Sequence, residues 1–223
     1  MHFEILTEDM SGKTALEILI PKIIDTQQHT FRVKSYKGVG HLPGGLKPKS
    51  DPQKRILLDQ LPRLIQGYGR TFAGMPGFTA VLIIVFDLDD RCLKNFRREL
   101  LGLLNNCHPK PGTYFCLAVE EGEAWYLGDF AAVKSAYPNA KDVILDAYIN
   151  DSICDTWEKL ADAVYSGGAH KLKQLGWQSV GREKAIWAER ISPFMIVDNN
   201  LSPSFCYFRD KLRHLSNYKA ETE

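Results

Sequence analysis

The stretch TAVLIIVFD, residues 79–87, constrains the fold of this chain more than any other segment, because it is apolar on both faces and does not alternate. A strand with one solvated face alternates polar and apolar residues. An unbroken apolar run therefore belongs at the centre of a parallel sheet covered by helices on both sides. The run ends in the acidic step DLDD. Leu93, Phe96, Leu100, Leu103 and Leu104 then recur at helical spacing, and TYFCLAV, residues 113–119, reads as another strand. The same rhythm opens the chain. FEILT, residues 3–7, is a short β-prone run. Leu16, Leu19, Ile20, Ile23 and Ile24 follow at helical spacing, and TFRVKSY, residues 30–36, is a second strand. Repeated strand–helix–strand units predict an α/β fold with a mostly parallel sheet and helices on both faces.

Between the second strand and the central one lies KGVGHLPGGLKPKSDP, residues 37–52, whose glycines and prolines exclude regular structure. Asp51 and Pro52 suit an N-cap and a first helical position, so the spacing of Ile56, Leu57, Leu61, Leu64 and Ile65 predicts an amphipathic helix from that point. Beyond about Ala131 the pattern turns helical and broken. Candidate helices cover Ile153 to Val164, Arg182 to Ile191, and SPSFCYFRDKLRHL. The expected division is a core over residues 1–130 and a mainly helical extension over 131–223, packed on the core or forming one domain with it.

The 28 basic and 27 acidic side chains nearly cancel. No global positive field holds nucleic acid, so any such binding needs a local patch. The apolar run near Ala80 to Phe86 is far shorter than the roughly 20 residues of a membrane span, and no leader-like segment opens the chain, which predicts a cytoplasmic protein without a membrane partner. Cys92, Cys107, Cys116, Cys154 and Cys206 are odd in number and contain no CxxC pair, so they read as reduced packing residues. The histidines lack the HxxxH spacing that sets two imidazoles on one helical face.

Ser11 to Thr14, SGKT, invites a phosphate-loop reading, but the first glycine of that motif would fall at Thr7. Glu8 and Asp9 occupy the turn where backbone amides should wrap an anion. Ser11 and Gly12 are expected to start a helix instead. In an open parallel sheet, ligands bind at the carboxyl ends of the strands, where Glu8, Asp87, Asp89, Asp90 and Glu120 all fall. Carboxylates crowded there repel one another unless a cation compensates. An all-oxygen ligand set favours Mg2+ or Mn2+. Asp87 and Asp89, two apart in extended backbone, would point the same way and flank one ion.

A glutamate after the first strand with a DxD after a later one resembles the Toprim signature of topoisomerases, primases and OLD-type nucleases, carried here by Glu8, Asp87 and Asp89. LTEDMSGKTALEILIPKI, VFDLDD, VEEGEAWYLGD and the late LSPSF together look like the bacterial family called domain of unknown function 4276, regarded as Toprim-related. The resemblance spans nearly the whole chain. It implies a Toprim-like domain that cleaves phosphodiester bonds of DNA or RNA, with Glu8 as general acid or base and Asp87 and Asp89 holding Mg2+ or Mn2+. Glu123 and then Glu120 are candidate further ligands, and Lys184 is the candidate lysine that neutralises developing charge. It also implies an AAA- or ABC-type ATPase partner in an anti-phage system.

Each assignment has a structural counterpart. Glu120, Glu121 and Glu123 would also suit a helix start. Trp125 and Tyr126 read as packing residues, Lys184 fits a solvated surface, and Ser202 and Ser204 could simply cap the last helix. Lys34, Lys37, Lys47 and Lys49 flank the glycine-rich loop as a candidate nucleic-acid grip, or as a solvated connector. The other readings are a non-catalytic effector subunit of an ATPase complex, and a nucleotide switch built on SGKT. Homo-oligomerisation is open.

Overall fold

The computed structural model describes residues 1–151 and 155–217. Four strands, β1 (His2–Thr7), β2 (Thr30–Ser35), β3 (Ala80–Asp87) and β4 (Gly112–Ala118), form one all-parallel sheet in the order β2-β1-β3-β4. The helices are α1 (Met10–Ile23), α2 (Leu61–Ala73), α3 (Leu93–Asn106), α4 (Glu123–Leu127), α5 (Phe130–Ala136), α6 (Asp142–Asp146), α7 (Thr156–Val164), α8 (Gly168–Gln174), α9 (Trp177–Ile191) and α10 (Pro203–Ser216). The architecture is Rossmann-like α/β. No helix among the described residues is long and apolar enough to cross a membrane.

The central run behaves as its composition requires. Leu82, Ile84 and Phe86 of β3 pack under α2 and α3 with Leu61, Ile65, Phe96 and Leu100. Val81, Ile83 and Val85 face the other layer with Leu16, Leu19, Trp187, Phe205 and Phe208. Burying each such side chain contributes roughly 1.5–3 kcal/mol. The second cluster draws on β1, α1, α9 and α10 alike, so the residues after 130 complete the cover of one sheet face. Polar contacts join the same parts. Lys22 Nζ donates to the carbonyls of Ser192 (2.9 Å), Pro193 (2.6 Å) and Met195 (3.0 Å) at the end of α9.

Two elements differ from the sequence expectation. Asp51 does cap, but only a single 3-10 turn, Pro52–Lys54. Arg55 then adopts φ 54°, and α2 begins at Leu61. The intervening amides of Leu57 and Leu58 donate to Gly38 and Val39 instead of to a helix, which docks the glycine-rich loop. In the C-terminal part α9 starts at Trp177, earlier than Arg182, because the spacing of apolar residues marks only its buried face. Ile153 and Cys154 lie outside the described residues. Cys92, Cys107, Cys116 and Cys206 are free thiols.

Glu4, in the middle of β1, is fully buried. Its carboxylate accepts from Arg32 Nε (2.9 Å) and Tyr68 Oη (2.7 Å), with Lys34 Nζ at 3.5 Å. Burial raises its proton affinity, but the bonds from Arg32, Tyr68 and His2 outweigh it and the pKa is lowered. A lowered carboxylate pKa stabilises the fold above the ordinary value of 4.5, and that stability is lost as pH falls. Glu4→Gln is therefore expected to cost about 1–3 kcal/mol at neutral pH in urea denaturation, with the deficit shrinking in acid. An unchanged midpoint at neutral pH would refute this role.

Candidate functional site

β1 and β3 are adjacent and parallel, in register from His2 and Ala80 to Thr7 and Val85. The chain leaves β1 into α1 on one face of the sheet and leaves β3 into α3 on the other, so a crevice opens between their carboxyl ends. Glu8 and Asp87 stand on its two sides. The cavity there, about 30 Å3, has room for an ion or one to two waters, and its lining includes Glu8, Asp9, Asp87, Glu123 and Lys184.

The turn after β1 is shaped for this. Asp9 caps α1 by accepting from Gly12 N (2.7 Å) and Ser11 Oγ (2.7 Å). A Cβ on residue 12 would sit 2.6 Å from Thr7 Oγ1, so glycine lets α1 close onto the strand end. The amide that a phosphate loop would offer to its ligand is thus taken by Asp9, and Lys13 pairs along the helix with Glu17 at 3.6 Å. SGKT is a helix start.

The Glu8 and Asp87 carboxyls line the same cavity, and Glu8 Oε2 is buried with no hydrogen-bond partner among the described residues. Desolvation pushes the Glu8 pKa up to about 7, and burial together with Glu8 raises Asp87 well above its ordinary range. Lys184, at the cavity from α9, bonds Glu123 Oε2 (3.1 Å) and Glu121 Oε1 (3.2 Å). Burial alone would lower its proton affinity, but Glu123, Glu121 and Asp87 raise it, so the ammonium is held charged. Glu121 is itself pushed up to about 7 by burial.

Glu8, Asp87, Glu123 and Lys184 are thus brought together, and other expected members are turned away. Asp89 is not extended: it has φ 52°, and its carboxylate faces Arg91 Nη1 at 3.6 Å, so the two-apart rule does not aim it beside Asp87. Burial raises its pKa. Asp90 is exposed. Glu120 (φ 60°) accepts from the amides of Asp155 and Thr156 (2.7 Å) and from the Thr156 hydroxyl, capping α7. Among the described residues no three His, Cys, Asp or Glu side chains stand in a coordinating arrangement.

Trp125 and Tyr126 are buried, and Trp125 stacks on Phe208 at 5.2 Å. Ser202 caps α10 through Phe205 N (3.2 Å), and Ser204 Oγ accepts from Trp125 Nε1 (3.1 Å). Lys34 lies beside Tyr68 on β2, whereas Lys37, Lys47 and Lys49 are exposed. The loop that carries them starts beside the site, since Gly38 N donates to the Glu8 carbonyl at 2.8 Å. Glu121, grouped in the sequence with Glu120 and Glu123 but not favoured over them, joins the site through Lys184. Its only signal was its place between two glutamates already weighed.

No family model, curated protein or solved structure matches this chain. What the geometry defines is a Rossmann-like α/β protein with an acidic, lysine-bearing cavity at the switch point between β1 and β3.

A carboxyl whose native pKa lies above its unfolded value destabilises the fold progressively as pH rises from 4.5 through about 7. Glu8→Gln should therefore raise stability by on the order of 1–3 kcal/mol at mildly alkaline pH and leave it unchanged in acid. Urea denaturation at both pH values checks this, and a destabilised variant at alkaline pH would show the premise wrong.

Proposed function

We propose that the chain is a Toprim-type, metal-dependent phosphodiesterase acting on nucleic acid. The observation that carries this reading is that Glu8 and Asp87, from the ends of adjacent strands, line one cavity together with Glu123 and its partner Lys184. Two neighbouring residues in left-handed backbone, Asp89 and Glu120, support it. Asp89 N donates to the Glu120 carbonyl at 2.9 Å, and such backbone concentrates at functional sites.

The donor set is of the chemical type that a hard cation takes, and since no three acids among the described residues stand in a coordinating arrangement, binding would require their side chains to turn toward the ion. Glu8 Oε2 is buried without a partner, every candidate donor is a carboxylate oxygen, and Lys184 is the one ammonium among the residues lining the cavity. Asp87, Glu123 and Glu8 would hold Mg2+ or Mn2+, and Asp89, which faces Arg91 outside the cavity lining, is not among the ligands of this reading. The ion would polarise a phosphoryl oxygen and stabilise the leaving oxygen. Glu8, with its pKa near neutrality, is suited to take a proton from an attacking water or give one to the leaving oxygen. Lys184 supplies fixed positive charge where the phosphate becomes more negative.

The near-neutral surface favours delegated recruitment. The partner in this reading is an AAA- or ABC-type ATPase, and the setting is an anti-phage system in the cytoplasm.

Purified protein incubated with single-stranded DNA, duplex DNA and RNA in millimolar Mn2+ or Mg2+ is expected to cut at least one of them. Chelation should abolish cleavage, Asp87→Ala should lower it by about a hundredfold or more, and Lys184→Ala by about ten- to a hundredfold. Equal cleavage by wild type and a folded Asp87→Ala variant would end this reading. The absence of metal-dependent cleavage, with the ATPase present as well, would favour the non-catalytic effector subunit.

A further inference from the structure

On the opposite face of the sheet, between edge strand β2 and helix α2, lies an open groove of about 570 Å3. Its walls carry Arg32, Lys34, Arg55 and Arg63, with Tyr36 and Tyr68 between them. Glu4 beneath is the carboxylate that partners Arg32 and Lys34, which leaves the cations in excess. Among the described residues neither Arg55 nor Arg63 has an ion-pair partner. Arg55 is nonetheless held in place: its Nη2 donates to the Ser35 carbonyl at 2.5 Å, and its guanidinium lies over the Tyr36 ring at 5.8 Å. Guanidinium groups without an ion-pair partner in the wall of an open groove suit an anion of the phosphate class, which their fork matches in shape.

Backbone hydrogen bonds tie one end of the groove to the strand end that carries the acidic cavity. Tyr36 N donates to the Thr7 carbonyl (2.9 Å), Lys37 N to the Arg55 carbonyl (2.8 Å) and Gly38 N to the Glu8 carbonyl (2.8 Å). The Tyr36–Arg55 end therefore meets the carboxyl edge of the sheet one strand away from Glu8, a spacing of about 5 Å between backbones. We propose that this groove is the track for the phosphodiester backbone of the nucleic acid, with Arg55 and Arg63 as its principal phosphate contacts. The strand leaves it over Lys37 and Gly38 to reach the cavity. The inference builds on the phosphodiesterase reading and names the surface by which that site would hold its substrate. It differs from a grip by the glycine-rich loop, since Lys47 and Lys49 do not line the groove.

The test is fluorescence anisotropy with a labelled single-stranded oligodeoxynucleotide in EDTA, over a series of salt concentrations. Wild type should bind with an affinity that falls as salt rises. Arg55→Ala/Arg63→Ala should weaken binding about tenfold or more and reduce the salt slope by about 1.4, the value for two lost contacts to a single strand. Arg63→Glu, an exposed position in the first turn of α2, should weaken binding without disturbing the Arg55–Ser35 bond. Lys141→Ala/Lys159→Ala removes the same charge from the helical cover and should bind as wild type. The proposal is overturned if the arginine variants keep wild-type affinity and slope, if the lysine control weakens equally, or if a mononucleotide at equal phosphate concentration displaces the strand. Because binding is read without metal, it is independent of cleavage. Arginine-dependent binding with no cleavage in Mn2+ supports the groove and removes the reaction, whereas undiminished cleavage by the arginine variants removes the groove and leaves the reaction.

Discussion

The parallel pairing of β1 with β3 is the constraint on which the rest of the molecule depends. It puts the carboxyl ends of two strands, far apart in sequence, side by side at one edge of the sheet. An antiparallel arrangement would have sent Glu8 and Asp87 to opposite edges. The pairing is possible because β3 is apolar on both faces and the chain provides a helical layer for each, α2 and α3 on one side and α1, α9 and α10 on the other. The second layer also contributes chemistry, since α9 carries Lys184 to the crevice. The C-terminal helices are thus part of the site and of the core together.

Electrostatics then decides how the acids at that edge are shared. Asp9 and Glu120 spend their oxygens on the amides at the starts of α1 and α7, where the helix dipole favours negative charge. Asp89 faces Arg91, and Glu121 and Glu123 share Lys184. Glu8 and Asp87 are left mainly with one another. Two carboxyls in a desolvated site cannot both ionise cheaply, so one retains a proton into the neutral range. The pair that is hardest to ionise is also the pair where added positive charge changes the energy most.

How much of this was legible in the sequence varied with the kind of signal. The strands and the order in which they alternate with helices could be read from apolar periodicity, and the crowding of Glu8 and Asp87 followed from the rule that strand ends gather in a parallel sheet. Backbone specials could not be read that way. Arg55 at φ 54° divides what looks like one helix from Asp51 onward, and Asp89 at φ 52° redirects a side chain that extended geometry would aim at the site. Glu120 resembled a ligand by type and position, yet the N-terminus of α7 claims it from 35 residues away in sequence. Glu4 was hidden for the opposite reason. A lone acid in FEILT looks like a solvated residue, and its partners Arg32 and Tyr68 lie on other elements. The register in which Glu4 faces Arg32 exists only once β1 and β2 are paired.

One strand links the buried charge at Glu4 to the acid at Glu8. The four residue steps from one to the other span roughly 13 Å of extended backbone, and neighbours hydrogen-bond β1 along its length on both sides. Glu4 anchors Arg32 and Lys34 on the face of the sheet covered by α2, while Glu8 lies beyond the strand end in the cavity on the α1 side. Any ligand that spanned both would meet two charge arrays of opposite sign whose separation is fixed by a strand and not by a loop. Sites built on such elements hold their geometry more closely than sites on connections. The glycine-rich loop is docked beside both arrays, since Lys37 N donates to the Arg55 carbonyl and Gly38 N to that of Glu8. Its Val39 and Leu42 pack on the apolar cluster that includes Leu6 of β1, and the lysines at 47 and 49 are exposed.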